Sequence, residues 1–209
     1  MSVVAGTCRD ALRAATGELH ERLHHVPAFA ALAAGRLTRD DYIAMLRRKL
    51  GFHRAVEAGL ATAPDLSPFG ISPAERRRVP MLEADLAALG ADAVVPIAPI
   101  PAPGSAAGAM GWLYVSEGST LGGRQLARGL DDLLGQGEPG RRFLLGHGER
   151  HGAMWRDCCA AIERCGADPQ RLAAMQAGAV AAFQAFEAWF IPAPTQTPTP
   201  APAPGIHRP

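Results

Sequence analysis

The stretch VSEGSTLGGRQL, residues 115–126, lies inside a run from Gly108 to Leu134 whose Trp, Leu, Tyr, Met and Ala content is that of a buried helix. Yet it carries Gly118, Gly122 and Gly123, with Ser116, Ser119 and Thr120 between them. Each interior glycine costs a helix about 1 kcal/mol relative to alanine, so three should break it. A chain accepts that cost for few reasons: a loop between helices, a tight helix crossing, or a ligand lying close against bare backbone. The one-turn spacing of GSTLGG fits a helix that continues but bends, its glycines opening one face to something planar. No strand precedes the stretch and GxGxxG is absent, so it is not a dinucleotide fingerprint.

The flanking sequence reads as helix on both sides. Residues 7–25 place Leu12, Ala15, Leu19 and Leu23 at helical spacing with charges opposite. Thr38-Arg39-Asp40-Asp41 resembles a capping box before a second helix, whose Tyr42, Met45, Leu46, Leu50, His53 and Val56 trace one stripe. Ser72-Pro73-Ala74-Glu75 supplies an N-cap, a proline at the first position and an acid for a third, with Pro80 marking a kink or a late start. Residues 90–104 hold four prolines and predict an extended surface connection. Residues 141–165 predict a short helical turn, a break at Gly146-His147-Gly148 and a helix from about residue 150. Asp168-Pro169 caps the last helix, where Leu172, Met175, Ala179, Ala182, Phe183, Phe186 and Phe190 form the apolar face. Sustained two-residue alternation is absent, so the fold class is all-α, with six or seven helices and no repeat.

Composition narrows the function. The 209 residues suit one domain over 1–191, followed by a Pro/Ala/Thr-rich tail, 192–209, that holds seven of the 18 prolines and reads as disordered. Against 21 basic residues stand 20 acidic ones, which gives no global argument for nucleic acid or an anionic membrane. Cys8, Cys158, Cys159 and Cys165 lack CxxC spacing, and the N-terminus has no apolar leader; both point to a reduced, cytoplasmic protein.

The chemistry-bearing residues are few. His20 and His24, four apart, share one helix face at the spacing of two metal ligands, but no HExxH, carboxylate pair or CxxC completes a set. The same spacing serves a half-buried helix end. A single axial histidine is the other option, because a metal inside a macrocycle needs no second protein ligand. Trp112, Trp155 and the Phe183, Phe186 and Phe190 stripe read first as core, and Arg76-Arg77-Arg78 as a solvated face.

Three segments taken together carry a resemblance. LRAATGELHERL (12–23) resembles the N-terminal ATxxxH motif of the heme oxygenases, and GWLYVSEGSTLGGRQLAR (111–128) is similar to their distal helix. FLLGHGERHGAMWRDCCAAI (143–162) is similar to the FxxGYGxxTGxMWxxF pattern of the biliverdin-producing bacterial branch found beside bacteriophytochromes. The three occur in family order and span most of residues 8–190.

The resemblance implies a heme oxygenase-like helical fold with heme between a proximal N-terminal helix and a kinked distal helix. It makes His20 the proximal iron ligand and places Gly118, Ser119, Gly122 and Gly123 over the opposite heme face. Arg13, seven residues before the ligand, stands near the propionates, and Thr16 along the heme edge. The activity implied is oxidative cleavage of heme, as substrate and cofactor together, with O2 and electrons from an external ferredoxin or flavoprotein reductase. The products are biliverdin, CO and ferrous iron, with a bacteriophytochrome as a candidate recipient. Two positions depart from the family pattern: Ser119 stands where many members have Asp, and His24 where an acid usually orients the ligand. A catalytically silent heme carrier on the same scaffold is the alternative from another class.

Overall fold

The computed structural model describes residues 6–191, and the tail expected over 192–209 lies outside them. The described residues are helical without strands, as the patterning predicts. Six helices reach ten residues or more: α1 (Cys8–His24), α3 (Arg39–Thr62), α4 (Val79–Ala88), α5 (Ala106–Gly118), α9 (His151–Gly166) and α10 (Pro169–Phe190). Between them lie α2 (Pro27–Ala33), α6 (Gly123–Arg128), α7 (Asp131–Leu134) and α8 (Arg142–Leu145). The short helix α2 escapes a periodicity reading because seven residues hold too few turns to show a stripe.

Helix starts follow side-chain chemistry. Thr7 and Asp10 form a reciprocal capping box at α1, and Thr38 and Asp41 form the same device at α3. Ser105 accepts from the Gly108 amide at 3.0 Å, and Asp168 from that of Arg171 at 2.8 Å. Ser72 does not cap a helix. Pro73–Arg76 is a single 3-10 turn, and α4 begins only at Val79 with Pro80 in its first turn, the late start that this proline demands.

The α3 stripe is buried throughout, from Tyr42 to Val56. Along α1, Leu12 and Leu19 are buried, and Thr16 takes the buried place expected of Ala15. The core has two lobes. One gathers Leu12, Phe52, Met110, Trp112, Ile162 and Met175, and the other Tyr42, Leu46, Leu82, Leu86, Phe143 and Leu144; Phe186 and Trp189 of α10 pack against both. The connection at 91–103 has no regular structure, and it is tied to α3 where the Ala98 amide donates to Gly51 O at 3.2 Å.

The most extensive helix pairing is that of α5 with α10. A Cβ at Gly111 would run into Met175 O and the Ala179 nitrogen, and one at Gly178 into Gly108 O and Cα. The two helices therefore touch backbone to backbone, as small residues at a crossing permit.

The glycine-rich stretch breaks the helix where the sequence predicts a bend. After Gly118 the backbone stays right-handed, with Ser119 at φ −61° and Gly122 at φ −85°. The hydrogen bonds tighten to three-residue steps, from Thr120 N to Glu117 O, Leu121 N to Gly118 O and Gly123 N to Thr120 O, before α6 resumes.

Two glycine substitutions test this packing by urea unfolding. Gly178→Ala should lower the unfolding free energy by about 2–3 kcal/mol through overpacking of the crossing. Gly17→Ala, on the open face of α1 where a Cβ meets nothing within 4 Å, should raise it by roughly 0.5–1 kcal/mol.

Candidate cofactor site

Helix α1 presents Arg13, Thr16 and His20 on one side, and the buried Thr16 anchors its hydroxyl to Leu12 O at 2.9 Å. The His20 ring stands edge-on to His24, with centroids 4.7 Å apart, and edge-on to Phe183 of α10 at 6.1 Å. Crowding by these neighbours lowers the His20 pKa, with His24 and then Arg13 adding to the effect against Glu21. Its imidazole is thus neutral near pH 7, with a nitrogen lone pair to offer. Neither ring nitrogen has a hydrogen-bond partner among the described residues.

Facing α1 is the outer end of α5. The Tyr114 phenol is raised by burial and held back by Thr16 and Arg13, which places these α1 residues beside it. Its ring lies 6.3 Å from that of Trp155. Past Tyr114 comes the glycine turn. A Cβ at Gly118 would meet only the Trp155 rim, at 3.8 Å, and one at Gly122 nothing within 4 Å. Internal packing therefore demands neither glycine. Gly123 is different, because a Cβ there would strike the Leu144 carbonyl, so its bareness seats α6 against α8. Ser119 is exposed and returns its hydroxyl to Ser116 O at 2.7 Å.

Behind the turn lies a buried charge network that overturns the solvated reading of Arg76-Arg77-Arg78. Arg76 pairs with Glu117 at 2.7 Å, the two side chains 6% and 4% exposed, and also donates to Met154 O at 2.9 Å. Arg78, 1% exposed, donates to Phe143 O at 2.5 Å, while Glu57 accepts from the Arg78 and Val79 amides. Only Arg77 is exposed as expected. Buried polar atoms without a protein partner converge here on four groups, two of them new: Glu117 Oε1, the Arg78 Nε and Nη1, His53 Nδ1 and His147 Nε2. Burial raises the pKa of Glu117 against the pull of Arg76 and Arg78, and lowers that of His53 well below the ordinary histidine value. Glu117 and His53 are functional candidates that motif reading misses. One signal was available: Glu117 is the sole acid between Ala106 and Leu130.

Among the described residues no three His, Cys, Asp or Glu side chains gather as a metal site, so His20 and His24 remain a pair without further ligands. The four cysteines are free thiols.

Opposing titrations should shape the stability of this region. Burial, then Arg78 and the other nearby cations, lowers the His147 pKa to about 4. The unfolded chain takes up this proton first as pH falls below about 6.5, so His147 subtracts stability from there down to about pH 4. Burial raises Asp85 to about 6 although it accepts from the Arg142 and Phe143 amides, so Asp85 adds stability as pH falls from about 6 towards 3.8. Urea midpoints between pH 4 and 7 should show a shallower acid decline in His147→Gln and a steeper one in Asp85→Asn.

The family model of heme oxygenase matches residues 7–191. A heme oxygenase of Xanthomonas campestris pv. campestris is 38% identical over 171 residues, covering 77% of this chain and 92% of that protein. Among solved structures, the NO- and CO-bound heme oxygenase from Neisseria meningitidis aligns at TM-score 0.70 and 26% identity, over 89% of this chain and 91% of that one. Heme oxygenase-1 from the cyanobacterium Synechocystis, solved with heme, aligns at TM-score 0.72 and 18% identity over 88% and 91%, a likeness of fold.

Proposed function

The chain belongs to the heme oxygenase family, and we propose that it cleaves heme with O2 and electrons from an external ferredoxin or flavoprotein reductase, yielding biliverdin, CO and ferrous iron. The observation that carries the site assignment is the pair of glycines whose missing side chains nothing in the protein replaces. A side chain at Gly118 would meet only the Trp155 rim and one at Gly122 nothing within 4 Å, while His20 on α1 offers a neutral ring nitrogen. The residues present fit a planar macrocycle held by one axial nitrogen. Heme bound there supplies both the iron at which O2 reacts and the ring carbon that is oxidised.

In this reading His20 would hold the heme iron through a ring nitrogen, and Arg13, two turns earlier, would offer a cation to the propionate carboxylates. Thr16, buried with its hydroxyl turned to its own helix, shapes the edge and donates nothing outward. His24 stands edge-on beside the ligand in place of an acid, without a hydrogen bond to its ring nitrogens. Gly118 and Gly122 would offer bare backbone to the opposite face of heme, where a side chain would take up room. Ser119 spends its hydroxyl on Ser116 O, so the proton-bearing groups near this face are those behind it: Glu117, Arg78, His53 and His147. Buried polar atoms of this kind are ordinarily satisfied by ordered water, which suits controlled delivery of protons. Gly123 acts one step removed, fixing how α6 lies against α8.

Among the described residues no helix is long and apolar enough to cross a membrane. We further propose a cytoplasmic enzyme whose product serves a bacteriophytochrome, a reading supported by the likeness of residues 143–162 to that branch.

Hemin titration followed by ascorbate or reduced ferredoxin tests the activity. A Soret band that converts to a biliverdin spectrum is expected; a Soret band that persists would identify a carrier. His20→Ala should abolish turnover, and full biliverdin yield from that variant without added imidazole would defeat the ligand assignment. Gly122→Leu should weaken hemin binding by at least tenfold by filling the space above the ring, whereas unchanged binding and turnover would remove this turn from the site.

A further inference from the structure

A shallow, open depression of about 290 Å³ lies on another side of α6, among Arg124, Arg128, Asp131, Glu138, Arg141 and Gly148, with Arg124 and Arg128 exposed. Helix α6 is a wall shared by two spaces. Gly122, its N-cap, borders the glycine turn; Gly123 and Ala127 pack inward; Arg124 and Arg128, one turn apart, line this depression. No residue of α1 contributes to it, so the space is separate from the His20 site.

Its charge is unbalanced. Arg141, 4% exposed, is fixed in the wall by Asp131, by Ala127 O at 2.8 Å and by Gly135 O, which removes Asp131 from the account. Arg124 spends one N–H on Gly148 O and keeps the remainder of its guanidinium. Arg128 makes no hydrogen bond or ion pair among the described residues. Two guanidiniums thus face the single free carboxylate of Glu138. The backbone adds donors: the N–H groups of Gly137 (φ +108°) and Gly148 (φ +59°), both in the lining, have no acceptor among the described residues. Guanidiniums on one side and loop amides on the others match a tetrahedral oxyanion, which offers acceptors in every direction, better than a planar carboxylate. The volume sits at the small end of the roughly 300–1,000 Å³ of ligand pockets, enough for a phosphate with a small substituent.

We propose that this depression binds a phosphate group, free or carried by a small metabolite, held by Arg124, Arg128 and the Gly137 and Gly148 amides. An anion bridging α6 to the loops at 137 and 148 would also fix the segment that forms the far side of the glycine turn, so occupancy would stiffen it.

The test is the thermal midpoint of the full-length chain against sodium phosphate, with ionic strength held constant by NaCl and with sodium acetate as the carboxylate control. A saturable rise with phosphate is expected. Arg128→Gln, which loses no intramolecular partner, and Arg124→Gln should each weaken the apparent affinity about tenfold, the loss of one charge-assisted contact. Tighter binding of glycerol 2-phosphate than of inorganic phosphate would identify an ester as the ligand, and the reverse order the free ion. A midpoint that follows ionic strength alone, an equal response to acetate, or a rise that survives both substitutions would overturn the proposal.

Discussion

Where α5 crosses α10, Gly111 meets the backbone of Met175, Gly178 and Ala179, and no side chain separates the helices. A contact this close has no freedom to slide, because any rotation of either helix brings a Cβ-bearing neighbour into the other's carbonyls. Both sides of the cofactor site take their position from it. From α5 the chain runs one and a half to two turns further to Gly118. From α10, Phe183 reaches the His20 ring, and Glu187 holds Arg22 of α1 through two hydrogen bonds of 2.7 and 2.8 Å. The helix bearing the proposed iron ligand and the helix that leads into the glycine turn are thus both referred to one rigid element.

The second constraint is electrostatic. Burying Arg76, Arg78 and Glu117 together costs several kcal/mol of desolvation per ion, which only close pairing offsets. The Arg76–Glu117 pair therefore tethers the 3-10 turn before α4 to α5, one residue ahead of Gly118. A hydrophobic contact would hold these parts as well, so the charges call for a further reason, and the proton delivery proposed above would supply one. Lys49 shows the same excess of cation. Among the described residues no acid pairs with it; the rings of Phe29, Phe143, Phe186 and Phe190 lie 4.9–5.7 Å from its ammonium, and burial with Arg78 nearby lowers its pKa to about 8.

Much of the fold was legible because long helices announce themselves. The Thr38 and Asp168 caps, the α3 stripe, the proline-rich connection and the break at Gly146-His147-Gly148 all follow from local chemistry and appear where local chemistry puts them. Arg76-Arg77-Arg78 reads as solvent-facing because the partners that allow burial, Glu117 and the Phe143 carbonyl, are 41 and 65 residues away. Ser72 reads as a cap because Ser72-Pro73-Ala74-Glu75 has the local form of one, although Pro80 already marks the late start that α4 makes. Motifs single out His20 and the glycines, on which the proposed site rests; they do not single out His53 and Glu117, since each looks like an ordinary member of its own helix.

The three glycines of the opening stretch divide by what surrounds them. Gly123 is required by a neighbour, the Leu144 carbonyl, and would be required in a protein with no ligand at all. Gly118 and Gly122 have room for a side chain, so folding alone would favour alanine at both, by about 1 kcal/mol each if the helix continued. Their presence lowers the stability of the isolated chain in return for space, and a ligand that binds only the folded state restores what they give up. The same division explains why the helix breaks at residues 119–122 and does not merely bend. With no Cβ at either end of the turn and Thr120 Oγ1 drawn back to Glu117 O at 2.7 Å, the backbone tightens around its own carbonyls and leaves its outer surface bare.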